Sequence, residues 1–151
     1  MKQLKQLTFG LTLVSAIALA APDRSSAQGN SEAGWFPLWN GKNFYGWQFH
    51  LGKEGADNQG TFTIKDGILV CSGKPAGYMF TMKSYRNYSL QLEWAFQRPP
   101  DLTDETQFRG NSGCLIHIGP KNALGIWPRS VEVQGSHRDP GLILPIPRDL
   151  Q

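Results

Sequence analysis

Cysteine is nearly absent from this 151-residue chain, which holds only Cys71 and Cys114. With no Cys-x-x-Cys pair and no histidines at finger spacing, a structural zinc module is excluded. Runs of lysine or arginine are missing too. Lys2, Lys5, Arg24 and Asp23 together carry two of the three net positive charges, so the rest of the chain is close to neutral. Nucleic-acid binding therefore lacks its electrostatic footprint. No apolar run reaches the ~20 residues that span a bilayer. No segment shows sustained helical periodicity, and no internal repeat occurs. A Gly-x-Ser-x-Gly elbow, a phosphate loop and a His-Glu-x-x-His pair are all missing, which removes the commonest hydrolase, nucleotide and zinc-protease readings.

What is present begins at the N-terminus. Residues 1–6 carry Lys2 and Lys5 and no acid, residues 7–21 are almost wholly apolar, and small residues follow. That is the layout of a secretory leader. Cleavage fits after Ala20 or after Ala27, and the polar stretch of residues 22–26 favours Ala27. The expected organisation is a signal peptide at residues 1–27, a polar lead-in at 28–33, and one domain at 34–151. The mature protein would be secreted or periplasmic, with no membrane span. There Cys71 and Cys114 could form a disulfide; the alternative is two small thiols buried inside strands.

The domain reads as all-β. Glycine and proline punctuate short apolar runs, the pattern of a sandwich or barrel. Residues 35–39 and 44–49 suggest short strands around a turn at Asn40-Gly41-Lys42-Asn43. Residues 61–64 and 68–72 flank Asp66-Gly67, a strong hairpin signal. Residues 78–81 suggest a further short strand. Residues 88–97 alternate best: Tyr88, Leu90, Leu92, Trp94 and Phe96 on one face, Ser89, Gln91, Glu93, Ala95 and Gln97 on the other. Strands at 113–118 and 130–134 follow, separated by a loop that holds Trp127.

Several residues could carry chemistry. If Val131 and Val133 face the core, Glu132 and Gln134 share the opposite face, where a carboxylate can act as a base and an amide can hold a hydroxyl. Glu93 and Gln91 repeat the pairing. His117 is a candidate proton carrier, and Asn111 lies in a polar corner beside two glycines. Trp127 could stack on a sugar face or cap the core. His137 and Asp139, with Glu132, are candidate ligands for a divalent metal ion.

The ordered motifs resemble a known family. They are Trp35 through Asn43, Gly46-Trp47, Thr63 through Val70, Leu90 through Trp94, Gly110-Asn111-Ser112-Gly113 and Trp127 through Gln134. Together they are similar to the 3-keto-disaccharide hydrolase domain family, over residues 34–141. The resemblance implies a concanavalin A-like jelly-roll sandwich of two antiparallel sheets, one concave and carrying the sugar site. It implies activity on glycosides oxidised to a ketone at C3, with Asn111-Ser112-Gly113 and Glu132-Val133-Gln134 at the site. The family often has arginine where this chain has His117. Its domain normally runs on for several more strands, so the sandwich is expected to be incomplete at its C-terminus. β-Glucanases of the same fold group use paired carboxylates on one strand, whereas Glu132 is followed by Gln134. The expected function is base-assisted elimination and hydration at C1–C2 of a 3-keto-glycoside. The rival reading is a non-catalytic carbohydrate-binding module.

Overall fold

The computed structural model describes residues 12–20, 34–52 and 60–147. The expected cleavage sequence, the lead-in and the last four residues lie outside the described residues. Among the described residues there are ten strands, all paired antiparallel: β1 (Thr12–Ala20), β2 (Trp35–Pro37), β3 (Trp47–Leu51), β4 (Phe62–Lys65), β5 (Ile68–Cys71), β6 (Gly77–Thr81), β7 (Ser89–Phe96), β8 (Gly113–Ile116), β9 (Ser130–Gln134) and β10 (Ile143–Ile146). Among the described residues the only helical element is a 3-10 turn, Glu105–Gln107, and no helix is long and apolar enough to cross a membrane. The architecture is all-β, of the jelly-roll sandwich type.

Three sheets form. The largest has the order β2-β1-β5-β4, with β7 along the other edge of β1; β3 pairs β6; and the third runs β10-β9-β8. The hairpin at Asp66-Gly67 is as expected. Both residues have positive φ, 51° and 73°, the backbone that a two-residue turn between twisted strands demands. The turn after β2 is locked by side chains: Asn40 Oδ1 accepts from the backbone N–H groups of Lys42 and Asn43, and Asn43 Oδ1 accepts from that of Tyr45. This turn also receives Trp39, whose Nε1 donates to the Asn43 carbonyl at 2.9 Å.

The core lies where β3 and β6 cover the β4–β5 hairpin. Trp39, Leu51, Phe62 and Leu69 are buried there, with Phe44, Trp47, Phe49, Ile64, Cys71 and Met79 packed around them. Each large side chain so buried contributes roughly 1.5–3 kcal/mol. A smaller cluster centres on Phe108, which is buried beneath Phe96 and His137, both edge-on to it at 5.6 and 5.1 Å.

Thr12–Ala20, in the apolar run of the expected leader, pairs as strand β1 of the largest sheet. Residues 143–146 form β10; Pro145 lacks an N–H, and the strand accordingly sits at a sheet edge. Of the two states open to the cysteines, the structure has the unpaired one: Cys71 in β5 and Cys114 in β8 belong to different sheets and are free, half-buried thiols. Burial pushes both thiols above the ordinary cysteine range, and a hydrogen bond from the Gly73 backbone partly offsets this at Cys71.

Candidate active site

The β8–β9 ladder holds the densest set of candidate residues. Its register pairs Gly113 with Gln134, Cys114 with Val133, Leu115 with Glu132 and Ile116 with Val131. On the other side of β9, Leu144 of β10 lies opposite Glu132. Because side chains alternate, Gly113, Leu115, Ser130, Glu132, Gln134, Leu144 and Ile146 share one face. Glu132 and Gln134 are therefore neighbours, as the alternation implied. The face is not simply wet, however. Glu132 is half-buried beside Leu115 and Leu144, and Val131 and Val133 on the opposite face are no more buried than it is. The reason is position: β9 is the middle strand, flanked on both sides.

Gly113 makes room for the Glu132 side chain. A Cβ at position 113 would stand 2.9 Å from Glu132 Cγ and 3.0 Å from Cδ, and closer still to Oε1. The carboxylate thus lies across the one residue of the Asn111-Ser112-Gly113 corner that has no side chain. The corner is tied to the end of β9 by backbone hydrogen bonds. Gly135 N–H donates to the Ser112 carbonyl at 2.7 Å, and His137 N–H donates to the Gly110 carbonyl at 2.9 Å. Gln134 is oriented as well: its Oε1 accepts from Gly135 N–H at 3.1 Å, so its amide NH2 points elsewhere and is the group left to donate.

The remaining candidates separate along the ladder. Asn111 is exposed at the corner end, two residues before Gly113, the partner of Gln134. His117 lies one residue beyond β8, exposed, with φ at 54°, so the strand alternation ends before reaching it. Trp127 sits in the loop that joins β8 to β9, at the end away from Asn111. Its carbonyl accepts from Ala123 and Leu124, and its ring lies 6.2 Å from that of buried Tyr78. Glu93 stands on the exposed row of β7, in another sheet, while Leu90, Leu92, Trp94 and Phe96 form the more buried row.

His137 and Asp139 do not converge with Glu132. His137 Nε2 faces Glu105 Oε2 at 3.8 Å, and Asp139 N–H donates to Ser136 Oγ. Among the described residues no three His, Cys, Asp or Glu side chains gather to hold a metal ion. The divalent-ion set read from the sequence therefore does not fit this arrangement.

Sequence reasoning missed what surrounds the corner. Arg98, just after β7, pairs with Glu105 at 3.1 Å and lies 4.2 Å over the Phe108 ring. Asp104 caps the 3-10 turn through Thr106, and the Thr106 hydroxyl and N–H hold its carboxyl below the usual carboxylate range. Arg138 donates to the Thr106 carbonyl at 3.1 Å. The polar loop of residues 98–110 thereby folds against the corner that carries Asn111. An Asp-x-Thr cap was legible locally; its tertiary target was not. At the other end, His50 Nε2 meets Asn122 Oδ1 at 2.8 Å, and its ring lies 5.4 Å from Tyr78, beside the Trp127 loop.

Neither a protein of curated function nor a solved structure matches this chain. The 3-keto-alpha-glucoside-1,2-lyase-like domain model matches residues 34–144, which takes in β2 through the first half of β10 and so the whole β8–β9 ladder. That family points to glycosidase-like chemistry on 3-keto sugars and to a carbohydrate substrate. On a match of this extent, the chain belongs to the 3-keto-alpha-glucoside-1,2-lyase-like domain family.

Proposed function

We propose that this is an exported enzyme that cleaves 3-keto-glycosides by elimination across C1–C2, with Glu132 as the base. The observation that carries the reading is the seat of Glu132: its carboxylate lies over Gly113, on the same face as Gln134, within the matched family domain.

The chemistry needs little. A ketone at C3 acidifies the proton on C2. A carboxylate removes that proton, the electron pair forms the C1–C2 double bond, and the C1–O bond breaks. The departing oxygen takes a proton and leaves as the aglycone alcohol. Water adding back across the double bond gives the free 3-keto sugar. As negative charge develops on the ketone oxygen, it calls for a hydrogen-bond donor. The Gln134 NH2 has the right polarity, because its carbonyl oxygen is already engaged by Gly135. Asn111 lies at the same end of the ladder. His117, exposed at the far end of β8, is assigned the proton that the departing oxygen takes. Trp127 offers an apolar surface at that end for the sugar or the aglycone. Glu93, on another sheet, is assigned no chemical role. No step is routed through a metal.

Turnover of a 3-keto-glucoside in heavy water tests the mechanism. Elimination followed by hydration places solvent deuterium at C2 of the product. Cleavage of C1 with no deuterium ever found at C2 would exclude it. Export is tested separately: the leader reading requires a protein found outside the cytoplasm and shortened by cleavage after Ala20 or Ala27.

A further inference from the structure

The β3–β6 sheet has two faces. Trp47, Phe49, Leu51 and Met79 belong to the core face, and the register leaves Gln48 with Phe80 and His50 with Tyr78 as cross-strand pairs on the other. The loop between β8 and β9 lies over that outer face. Lys121 Nζ stands 5.2 Å from the Phe80 ring centre, His50 Nε2 meets Asn122 Oδ1 at 2.8 Å, and the Trp127 ring lies 6.2 Å from that of Tyr78. Gly52, just after β3, makes room for the loop: a Cβ there would stand 3.4 Å from Ile126 Cγ2.

Packed aromatic rings ordinarily serve the core alone. One atom does not fit that account. Tyr78 is only 6 % exposed, and among the described residues its hydroxyl has no hydrogen-bond partner. A buried phenol normally finds one, because leaving the bond unmade costs more than making it gains. Burial also pushes the phenol above its ordinary range, so it stays protonated and able to donate. Its neighbours have polar capacity left over. Asn122 Oδ1 accepts from His50 Nε2, so His50 Nδ1 is left to accept and the Asn122 NH2 to donate. Asn122 is exposed with φ at 58°, a left-handed backbone uncommon outside glycine. His50, Phe80 and Trp127 are each only half-buried around Tyr78.

We propose that His50, Tyr78, Asn122 and Trp127 form a second sugar subsite, which takes an unoxidised pyranose. Aromatic surfaces meet the apolar C–H face of such a ring. A donor, an acceptor and a hydroxyl that does both meet its hydroxyl groups, and an alkyl group would use none of the three. The inference rests on the proposed elimination only in making this ring the leaving group. His117, assigned the proton that the departing oxygen takes, lies at the same end of the β8–β9 ladder as Trp127.

The test uses the full-length protein and two readouts. The first is binding of methyl glucoside, which has no ketone and so no acidic C2 proton. It should shift the amide signals of residues 50, 78, 122 and 127, and Tyr78→Phe should weaken that binding about tenfold, the worth of one hydrogen bond. Tyr78→Phe removes only an unpaired hydroxyl, so it should melt no lower than the parent. Asn122→Gly keeps the left-handed backbone and should weaken binding similarly. The second readout is turnover. Both variants should lose about tenfold in kcat/KM on a 3-keto-disaccharide and stay within about twofold of the parent on methyl 3-keto-glucoside, whose leaving group is too small to fill the subsite. Unchanged methyl glucoside binding by Tyr78→Phe would reduce the hydroxyl to a seat for water and overturn the proposal. An equal loss on both substrates would overturn it too. Shifts at these residues with no turnover of any 3-keto-glycoside would keep the subsite and remove the elimination reading instead.

Discussion

Gly113→Ala isolates the seat of Glu132 from the stability of the fold. The new methyl carbon would stand 2.9 Å from Glu132 Cγ, against an ordinary carbon–carbon contact of ~3.5–4.0 Å. The Glu132 side chain must therefore retreat by about 0.6–1.1 Å, and it can, because the obstructing atoms belong to a flexible side chain rather than to backbone. Gly113 lies in a strand and not at positive φ, so alanine carries no backbone penalty there. Relief of glycine's unfolded-state entropy instead adds about 0.4–1 kcal/mol of stability. Activity should move the other way. A displacement of about 1 Å at a reacting group costs on the order of 100-fold in rate. The assay is kcat/KM on a 3-keto-glucoside beside a thermal melt of the same preparation. A variant that melts no lower than the parent yet has lost about two orders of magnitude in kcat/KM supports the assignment. If Gly113→Ala keeps full activity, the carboxylate position does not matter and Glu132 is not the base.

The other predictions concern the base itself, its partner, the core and the thiols. Glu132→Gln should abolish turnover while sugar affinity changes little if the residue is a base; a binding module would show affinity without turnover in the parent as well. Gln134→Glu keeps the acceptor for Gly135 N–H but removes the donor for the ketone oxygen, and should lower kcat by about 100- to 1000-fold, the cost of losing one such donor. Leu69→Ala, at a site only 3 % exposed, should cost about 2–5 kcal/mol by chemical denaturation and leave the remaining folded fraction active. Burial raises the pKa of Cys71 and Cys114 in the folded protein. The folded state therefore favours the neutral thiols, and the stability this contributes is present at neutral pH and is lost as pH rises from about 9.0 through the higher folded values. Alkylation at pH 8 should accordingly be slower in the folded chain than in denaturant, and Cys71→Ala with Cys114→Ala should flatten the alkaline loss of stability.

Local chemistry made part of this fold readable. Asp66-Gly67 announced its hairpin because few other pairs accept two positive φ values in succession. The row from Leu90 to Phe96 announced its buried side because a period of two over that length has no other simple cause. β9 was placed from Ser130 to Gln134 by the same rule. Tertiary facts were not readable. Alternation put Glu132 and Gln134 on one face but could not say that Leu144 would arrive alongside, since all four residues of β10 are apolar and their sequence carries no polar–apolar alternation. The leader pattern of residues 7–21 is a statement about composition, and composition carries no sign of the pairing that Thr12–Ala20 makes with β7. The meaning of Gly113 was likewise hidden. A glycine in a strand signals a close approach, but only the cross-strand register names Glu132 as the group that approaches.

The single carboxylate on this ladder narrows the chemistry that it can serve. Displacement at an unactivated glycoside requires two carboxyl groups flanking one bond, about 5–9.5 Å apart, one to protonate the leaving oxygen and one to attack or to activate water. Gln134 stands where a second acid would be on this strand, and its oxygen accepts from the Gly135 N–H. Glu93 is on the exposed row of a strand in another sheet. A substrate that already carries a ketone at C3 removes the need for the second acid. Its C2 proton is acidic enough for one carboxylate, and the charge that develops moves to the ketone oxygen, where an amide donor is worth more than an acid. A glutamate held over a glycine, beside an amide whose oxygen is already engaged by Gly135, suits that division of labour. Converting Gln134 to the missing acid should therefore destroy the activity rather than create an ordinary glycosidase.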